Sequence, residues 1–292
     1  MKIKKAVIIA AGFGTRFLPV TKVQAKELMP IVDKPVLEYI VEEMINSGIT
    51  NIILVVNKYK ISIENHFDRL FELEHTLKRG GKEKLLEKIT TIPSKVNIAY
   101  VRQQAPLGTA HALLCAKAFV GNEPFVFSDA DSVIDSKIPA TKQLLEIYNK
   151  YKCPIVGVQK TENRFLTRYG NIYGKKIGKR IYKVEDSIEK PDIKKGEKVS
   201  PQGLFIAGMR YILTPQIFPI LEKLKPGKGG EYYINDGIKD LLEKGDVYAY
   251  HYEGDYYDTG NKLEYLKANV NFAFKHEEVK DEFKKYLKNL EI

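Results

Sequence analysis

The sequence predicts an α/β fold with a mixed, mostly parallel sheet flanked by helices, followed by a C-terminal helical extension. Short apolar runs rich in β-branched residues alternate with longer segments of helical periodicity through the first half of the chain. A glycine turn directly follows the first apolar run, and residues 261–290 are charged and helical in pattern. Strands that alternate with helices are typical of βαβ units and a mostly parallel sheet.

Periodicity, turn residues and capping signals assign the elements in chain order. The expected strands are 6–10, 52–56, 98–102, 125–127, 155–158, 204–213 and 247–252. The expected helices are 36–46, 62–78, 109–118, 144–150, 215–224 and 234–243, and most of 261–290. Residues 169–182 are rich in Gly, Tyr and Lys and predict a hairpin near the sheet edge. Thr214 is the expected N-cap of the helix 215–224, with Pro215 at its first position.

The bulk composition indicates one globular domain over residues 1–292, with a core of about 1–260 and an extension of about 261–292. Hydrophobic residues make up 44% and charged residues 29%, close to the averages for globular proteins. No apolar run approaches the ~18 residues that span a bilayer. Two cysteines cannot build a disulfide framework or a cysteine zinc site. We therefore expect a reduced, cytoplasmic setting and no membrane association.

The net charge of +10 raises the question of nucleic-acid binding. The lysines are spread along the chain and interleaved with glutamates, as in 82–84 and 275–278, which is typical of solvated helix faces. The chain has no zinc-finger, RRM or helix-turn-helix signature. A positive field attracts small anionic substrates equally well. We expect no nucleic-acid partner.

The glycine turn at 11–16, Ala-Gly-Phe-Gly-Thr-Arg, follows the first expected strand. Glycines there let the backbone approach a ligand and expose N–H groups to phosphate oxygens. A P-loop would end in Gly-Lys-Ser/Thr, whereas this turn ends in Gly-Thr-Arg. A dinucleotide fingerprint needs a third glycine and an acidic residue at the end of the next strand, which instead ends in Asn57 and Lys58. The turn alone therefore indicates nucleotide binding only weakly.

Three cations strengthen that interpretation. Arg16, Lys22 and Lys26 lie close together in the sequence, and Pro19 and Pro30 stiffen the segment. Cations held on a semi-rigid loop beside exposed N–H groups suit a polyphosphate. The alternative is a solvated basic loop, although such loops rarely combine proline and glycine at this density.

The loop also resembles the signature of the sugar-1-phosphate nucleotidyltransferases. The resemblance rests on residues 12–16 (GFGTR), 18–22 (LPVTK), 26–30 (KELMP) and 33–39 (DKPVLEY). Within that superfamily the chain is similar to the bacterial-type UTP–glucose-1-phosphate uridylyltransferases, through residues 62–68, 71–74, 101–111, 184–186, 189–191 and 258–262. The likeness covers residue 5 to about residue 274.

The resemblance implies a Rossmann-like fold, that of the nucleotide-diphospho-sugar transferases. It implies transfer of a uridylyl group from UTP to glucose 1-phosphate, which gives UDP-glucose and pyrophosphate, with Mg²⁺ as cofactor and a homodimer or homotetramer as assembly. One alternative is the same chemistry with dTTP or another sugar 1-phosphate, because thymine presents the same edge as uracil. Another is a non-catalytic nucleotide-sugar-binding regulator, which would be marked by loss of Arg16, Lys26, Asp131 or Lys190. All four are present.

The resemblance also implies roles at the nucleotide. Arg16 is expected at the β- and γ-phosphates, and Lys26 against the phosphate region, where it would stabilise charge in the transition state. Together with Lys190, these are the expected catalytic residues. The other expected nucleotide-binding residues are Ala11, Gly12, Gly14, Thr15, Glu27, Gln103 and Gly108. An amide such as that of Gln103 can donate and accept at once, as recognition of a pyrimidine edge requires.

The expected Mg²⁺ ligands are Asp131 and Asp258. The family usually has two adjacent carboxylates after the strand, and here Asp131 aligns with the first and Ser132 with the second. Two carboxylates suffice, because Mg²⁺ takes its remaining ligands from phosphate oxygens and water. Asp129 is the reserve candidate; otherwise it is a strand-end carboxylate that caps a turn.

The expected sugar-binding residues are Gly170, Glu189 and Lys190. The resemblance implies that the Gly170 amide and the Glu189 carboxylate meet hexose hydroxyls and that Lys190 pairs with the sugar's phosphate. The segment 229–236 departs from the family pattern: Tyr233 stands where glutamine is usual and Asn235 where threonine is usual. This departure bears on sugar selection. His66 and His111 are expected to be packing or capping residues rather than catalysts.

Overall fold

A computed structural model describes residues 2–290, apart from the side chain of Lys228. The ends of the predicted domain, at residues 1, 291 and 292, lie outside the described residues. The described part contains no helix long and apolar enough to span a bilayer.

The strands are β1 (Lys5–Ile9), β2 (Pro30–Ile31), β3 (Lys34–Pro35), β4 (Asn51–Val56), β5 (Asn97–Arg102), β6 (Phe125–Asp129), β7 (Ser132–Asp135), β8 (Ile155–Lys160), β9 (Gly170–Lys176), β10 (Ile181–Glu189), β11 (Leu204–Leu213), β12 (Tyr248–His251) and β13 (Asp255–Asp258). The helices are α1 (Val36–Asn46), α2 (Ile61–Phe67), α3 (Phe71–Arg79), α4 (Glu83–Lys95), α5 (Thr109–Cys115), α6 (Lys117–Val120), α7 (Ala140–Tyr151), α8 (Asn163–Leu166), α9 (Ile217–Leu221), α10 (Ile234–Leu241), α11 (Lys262–Ala273) and α12 (Lys280–Lys288).

The main sheet has nine strands in the order β5-β4-β1-β6-β11-β8-β12-β10-β9. The four strands at one end are mutually parallel, and β8 and β12 are parallel to each other. Strands β11 and β10 run antiparallel to their neighbours. The predicted mixed, mostly parallel sheet is confirmed. Because parallel strands end at the same edge, the turns after β1, β4, β5 and β6 all lie along one side of the sheet.

Helices cover both faces of this sheet, because buried side chains along the strands point alternately to each. Ala6 and Ile8 of β1 belong to one apolar cluster, with α1, α7 and α11, while Val7 belongs to the other, with α5, α9 and α10. Strands buried on both faces read as continuous apolar runs, which is why they were recognisable in the sequence.

The sequence assignments are confirmed at helix 36–46 and strand 204–213, which coincide with α1 and β11. The predicted hairpin corresponds to β9 and β10, with β9 at the edge of the sheet. The prediction of one helix at 62–78 is wrong. The backbone is extended at Asp68, so this segment forms two helices, α2 and α3. Helix α4 was not predicted.

Two further predictions need correction. Helix α9 begins at Ile217, not Pro215, and Thr214 does not cap it: its hydroxyl is buried without a hydrogen-bond partner in the described part of the chain. The C-terminal extension is helical as expected but is interrupted between Ala273 and Lys280, which gives α11 and α12.

A separate two-stranded antiparallel sheet joins β7 to β13 and was also absent from the sequence prediction. Its register pairs Ser132 with Asp258 and Asp135 with Asp255. The pairing therefore brings the chain directly after Asp131 to the end of β13, more than one hundred positions further along the sequence.

Candidate active site

The glycine turn is held in a fixed shape at the end of β1. Gly14 has the left-handed φ of 69°, which glycine adopts at no steric cost. Its carbonyl accepts a hydrogen bond of 2.7 Å from the Thr21 hydroxyl. A Cβ at Gly14 would lie 3.1 Å from the Lys26 side chain, and one at Gly12 would lie 3.7 Å from its Nζ. The glycines therefore let the Lys26 ammonium approach the turn backbone.

Asn57 fixes the start of this turn from the neighbouring strand. Its Nδ2 donates a hydrogen bond of 2.6 Å to the carbonyl of Ala11. In the sequence, Asn57 is notable only because it stands where a dinucleotide-binding fold would have an acidic residue. The structure gives it a positive role, because it ties the Gly12 turn to the parallel strand beside it.

Lys26 contacts Asp131 directly, through a short hydrogen bond between Nζ and Oδ2. Burial disfavours the charge on Lys26, but Asp131 and Glu27 outweigh it and raise the pKa of the ammonium above its usual range. Burial likewise opposes ionisation of Asp131, and Lys26 overcomes it, so that the pKa of Asp131 is lowered. Both groups are therefore charged at neutral pH.

Glu27 occupies a different place from the one expected. Its side chain has no exposed surface and accepts a hydrogen bond of 2.6 Å from Nζ of Lys60, which is itself only 4% exposed. Burial is the main cause that raises the pKa of Glu27, and Lys60 and Lys26 oppose the shift. A direct contact between Glu27 and a nucleoside is not available in this arrangement. Glu27 instead stabilises the loop through its buried ion pair with Lys60.

The β7–β13 pairing brings Asp131 and Asp258 together. The amide and hydroxyl of Thr259 both donate to the carbonyl of Asp131, at 3.0 and 2.7 Å. A Cβ at Gly260 would lie 2.8 Å from Oδ2 of Asp131 and 3.0 Å from Oδ1 of Asp258. Burial, followed by the charge of Asp131, raises the pKa of Asp258. The carboxylates of Asp131 and Asp258 therefore both lie next to Gly260.

Arg16 reaches the same point from the glycine turn. Its Nη1 donates to the carbonyl of Gly260 at 3.3 Å and lies 4.0 Å from Oδ2 of Asp258. The Arg16 side chain is 69% exposed, so most of its donors face solvent. It can therefore bind an anion that approaches from outside.

Asp129 forms its contacts with Ser132 and Arg210. It accepts a hydrogen bond of 2.6 Å from the Ser132 hydroxyl and lies 3.4 Å from Nη1 of Arg210. Burial, followed by the charge of Asp131, raises the pKa of Asp129 to about 7. The geometry favours Asp131 over Asp129 as the carboxylate that faces Lys26 and Asp258.

Arg210 is the buried centre of a network that holds the turn between β6 and β7. It is fully buried and pairs with Glu43 of α1 at 2.7 Å. It also donates to the Ser128 hydroxyl at 2.6 Å and to the Ser132 carbonyl at 3.0 Å. One guanidinium therefore ties the chain on both sides of Asp131. Nothing in the local sequence near residue 131 signalled this.

The donor set agrees with a Mg²⁺ that is only partly bound by protein. Asp131 and Asp258 supply oxygen, the ligand that Mg²⁺ prefers, and the phosphates of a substrate would supply more. Within residues 2–290, no group of three or more His, Cys, Asp or Glu side chains is arranged to hold a metal.

Gln103 is placed at the end of β5 and is 7% exposed. Its Nε2 donates to the Gly108 carbonyl at 3.1 Å and lies 3.0 Å from Nδ1 of His111. Because an amide nitrogen can only donate, His111 accepts through Nδ1 and carries its proton on Nε2. His111 is thus a packing partner, as predicted. Both amide hydrogens of Gln103 are used in its hydrogen bonds to Gly108 and His111. Gln103 can offer only its oxygen to a ring N–H.

Gly108 makes a close backbone approach that only glycine permits. Its φ is 98°, and a Cβ there would lie 2.6 Å from the carbonyl oxygen of Tyr232. The Ala110 amide also donates to that carbonyl, at 2.9 Å. The start of α5 and the segment before α10 are therefore in close contact at this glycine.

The predicted sugar-binding residues form a second cluster. Gly170 and Glu189 are paired across β9 and β10. Lys190 has a positive φ of 43°, and its Nζ lies 3.2 Å from Oε1 of Glu189 and 5.5 Å from the centre of the Tyr233 ring. A carboxylate and a cation on adjacent residues can bind the hydroxyls and the phosphate of one sugar phosphate.

Comparison with known proteins finds similar sequences along nearly the whole chain. The profile of the family described as Nucleotidyl transferase matches residues 5–274. A curated UTP–glucose-1-phosphate uridylyltransferase of Staphylococcus haemolyticus is 45% identical over 289 residues, which are 99% of this chain and 99% of that protein.

Solved structures with similar folds include a UDP-glucose pyrophosphorylase in complex with UDP-glucose. It has a TM-score of 0.86 and 37% identity, and the match covers 94% of this chain and 100% of that one. A UTP-bound UGPase from Acinetobacter baumannii has a TM-score of 0.89 and 35% identity, covering 99% of this chain and 100% of that one.

Proposed function

This chain belongs to the nucleotidyl transferase family, and we propose that it transfers a uridylyl group from UTP to glucose 1-phosphate. The observation that carries the proposal is the convergence of Arg16, Lys26, Asp131 and Asp258 from three distant segments on one point at the sheet edge. A non-catalytic regulator would have no need of two cations and two carboxylates arranged in this way.

The reaction needs alignment and charge stabilisation rather than a covalent intermediate. A phosphate oxygen of glucose 1-phosphate attacks the α-phosphorus of UTP and forms a new P–O bond. The bond from that phosphorus to the bridging oxygen breaks, and pyrophosphate leaves with the electron pair. Bringing two anions together is the main obstacle, so preorganised cations supply much of the catalysis.

The triphosphate side is assigned to the glycine turn. The backbone N–H groups of Gly12 to Thr15 and the exposed guanidinium of Arg16 would bind the β- and γ-phosphates. Lys26, which is charged and held by Asp131, would lie against the α-phosphate. Ala11 and Gly12 would contact the pyrimidine through their backbone, and the Gln103 oxygen would accept its ring N–H.

Asp131 and Asp258 would hold Mg²⁺ together with phosphate oxygens. When bound, the ion supplies positive charge to the phosphates. The chain's own contribution is to keep Asp131 ionised through Lys26 and to fix its backbone through Thr259.

The acceptor side is assigned to Gly170, Glu189 and Lys190. Glu189 would accept hydrogen bonds from hexose hydroxyls, and Lys190 would pair with the phosphate, since both reach one surface from adjacent positions. We further infer a cytoplasmic enzyme that acts as a homodimer or homotetramer and binds no nucleic acid. Its interleaved surface charges support the last point.

The test is pyrophosphate release from UTP and from dTTP, each paired with glucose, galactose and N-acetylglucosamine 1-phosphates, with and without Mg²⁺. We expect the highest kcat/KM with UTP and glucose 1-phosphate, and dependence on Mg²⁺. Absence of turnover in every combination would refute the enzyme proposal. A preference for dTTP would assign the thymidylyl reaction instead.

A further inference from the structure

Asn235, in the first turn of α10, forms a buried hydrogen-bonded bridge to Glu189. Asn235 is 3% exposed. Its Nδ2 donates a short hydrogen bond to Oε2 of Glu189, and its Oδ1 accepts one of 3.0 Å from the Tyr211 hydroxyl. The bridge thus runs from the core of β11 to the end of β10.

Glu189 and Tyr211 together fix which way this amide points. Burial, followed by the charges of Glu189 and Asp129, raises the pKa of Tyr211 well above its usual value. The phenol therefore keeps its proton, which it donates to Oδ1. A flipped amide would turn its oxygen toward the carboxylate, where two acceptors would face each other.

Gly170 completes the arrangement because it leaves room for the amide. A Cβ at that position would lie 1.8 Å from Nδ2 of Asn235 and 3.0 Å from Oε2 of Glu189. The close approach accounts for the absence of a side chain at residue 170. It also means that Gly170, Glu189 and Asn235 behave as one packed unit.

We propose that Asn235 is the positioning residue that sets sugar recognition, by fixing the Glu189 carboxylate between its amide and the Lys190 ammonium. One carboxylate oxygen of Glu189 bonds to Asn235, and the other lies beside Lys190. The carboxyl plane is thereby fixed relative to the cation proposed to bind the sugar's phosphate. This inference rests on the proposed function, since it assigns a role to the acceptor side of that site.

The role of Asn235 depends on its amide group, because the amide forms the hydrogen bonds to both Glu189 and Tyr211. An amide can donate to Glu189 and accept from Tyr211 at the same time, with one group at each end of a planar unit. A hydroxyl group has a single polar atom and cannot span both partners in the same way. Sugar recognition in this chain therefore depends on an amide bridge.

The test compares binding of UDP-glucose with binding of UDP by calorimetry, because the difference reports the sugar contacts. Asn235→Asp removes the donor and places a carboxylate against Glu189. We expect UDP-glucose affinity to fall by about ten- to a hundredfold, the usual range for losing a hydrogen bond to a charged group. UDP affinity should stay within about twofold of the parent value, as should both affinities in the exposed control Asn149→Asp.

Lowering the pH supplies a readout that general loosening of the fold would not produce. Two carboxyl groups in contact share a proton, and the protonated pair restores a donor to Glu189. The UDP-glucose affinity of Asn235→Asp should therefore recover in part as the pH is lowered. Equal losses for UDP and UDP-glucose, or no loss in a folded variant, would overturn the inference.

Tyr211→Phe keeps Asn235 but removes the hydrogen bond that orients it. Should Asn235→Asp fail to fold, this variant decides the matter. We expect a loss of a few fold in UDP-glucose affinity, with UDP unaffected, and an unchanged ratio would refute the positioning role. If the parent protein releases no pyrophosphate in any of the substrate combinations above, the proposed function itself is wrong, whatever the variants do.

Discussion

Lys26 and Asp131 are 105 residues apart in sequence, and their charged groups are in direct contact. Their side chains are only 21% and 22% exposed, so the pair is shielded but still open on one side. The contact places the cation proposed for the transferred phosphate beside the carboxylate proposed for the metal. Phosphate stabilisation and metal binding are therefore assigned to neighbouring side chains. Substituting the nearby carboxylates one at a time tests which of them binds the metal.

Asp131→Asn should strongly reduce metal-dependent turnover, whereas Asp129→Asn should have a much smaller effect. We expect kcat/KM to fall by about 10²–10³-fold in the first variant, the usual cost of losing one preorganised charge-stabilising group. Asp129 bonds to Ser132 and lies beside Arg210, so its variant should lose less than about tenfold. Mn²⁺ titration by electron paramagnetic resonance, with UTP bound, checks the metal directly. A larger loss for Asp129→Asn would reverse the assignment.

Lys190→Ala should impair use of the sugar phosphate selectively. Because Lys190 lies beside Glu189 in the proposed acceptor site, we expect the KM for glucose 1-phosphate to rise by about ten- to a hundredfold. The KM for UTP should change by less than about threefold. Initial rates with each substrate varied in turn measure both values, and Lys142→Ala on the exposed side of α7 is the control. Equal changes for both substrates would show that Lys190 is misplaced.

Gly108→Ala should destabilise the protein, whereas Gly245→Ala should not. The added methyl group would meet the Tyr232 carbonyl at a backbone φ of 98°, while a Cβ at Gly245 meets nothing within 4 Å. Overpacking and backbone strain together suggest a loss of about 2–4 kcal/mol for Gly108→Ala. Urea unfolding of both variants provides the measurement. Similar midpoints for the two would contradict the close approach at Gly108.

The parts of the site that the sequence predicted are those carried by contiguous motifs. The glycine turn with Arg16, and the Glu189–Lys190 pair, each lie in one short segment whose residue types match their chemistry. Asp131 and Asp258 were also predicted, but the reason for their proximity was not, because the β7–β13 pairing joins two short segments that have no strong strand pattern.

The supporting residues were missed for a different reason. Lys60 lies 33 positions from Glu27, and Arg210 lies 167 positions from Glu43. Single charged residues at such separations are indistinguishable in sequence from solvated ones, since burial is decided by tertiary packing. The same ambiguity led to the placement of Glu27 against the nucleoside, whereas the structure buries it on Lys60.

Glu43→Gln tests whether the network around Arg210 stabilises the fold as a charge pair. Removing one partner leaves the other charge buried and uncompensated, which typically costs about 3–5 kcal/mol. We expect a loss of that order at pH 7 from urea unfolding. Glu146→Gln, on the exposed side of α7, should cost less than about 0.5 kcal/mol.

The pH dependence separates a charge effect from a packing effect. Burial opposes ionisation of Glu43, but Arg210 outweighs it and lowers the pKa of Glu43 from its ordinary 4.5. A carboxyl whose folded-state pKa is depressed stabilises the protein above the unfolded-state value, and that contribution is lost as the pH falls through the folded-state value. The gap between the parent and Glu43→Gln should therefore narrow below about pH 4.5. A gap that stays constant from pH 7 to pH 4 would show that the loss at Glu43 comes from packing alone.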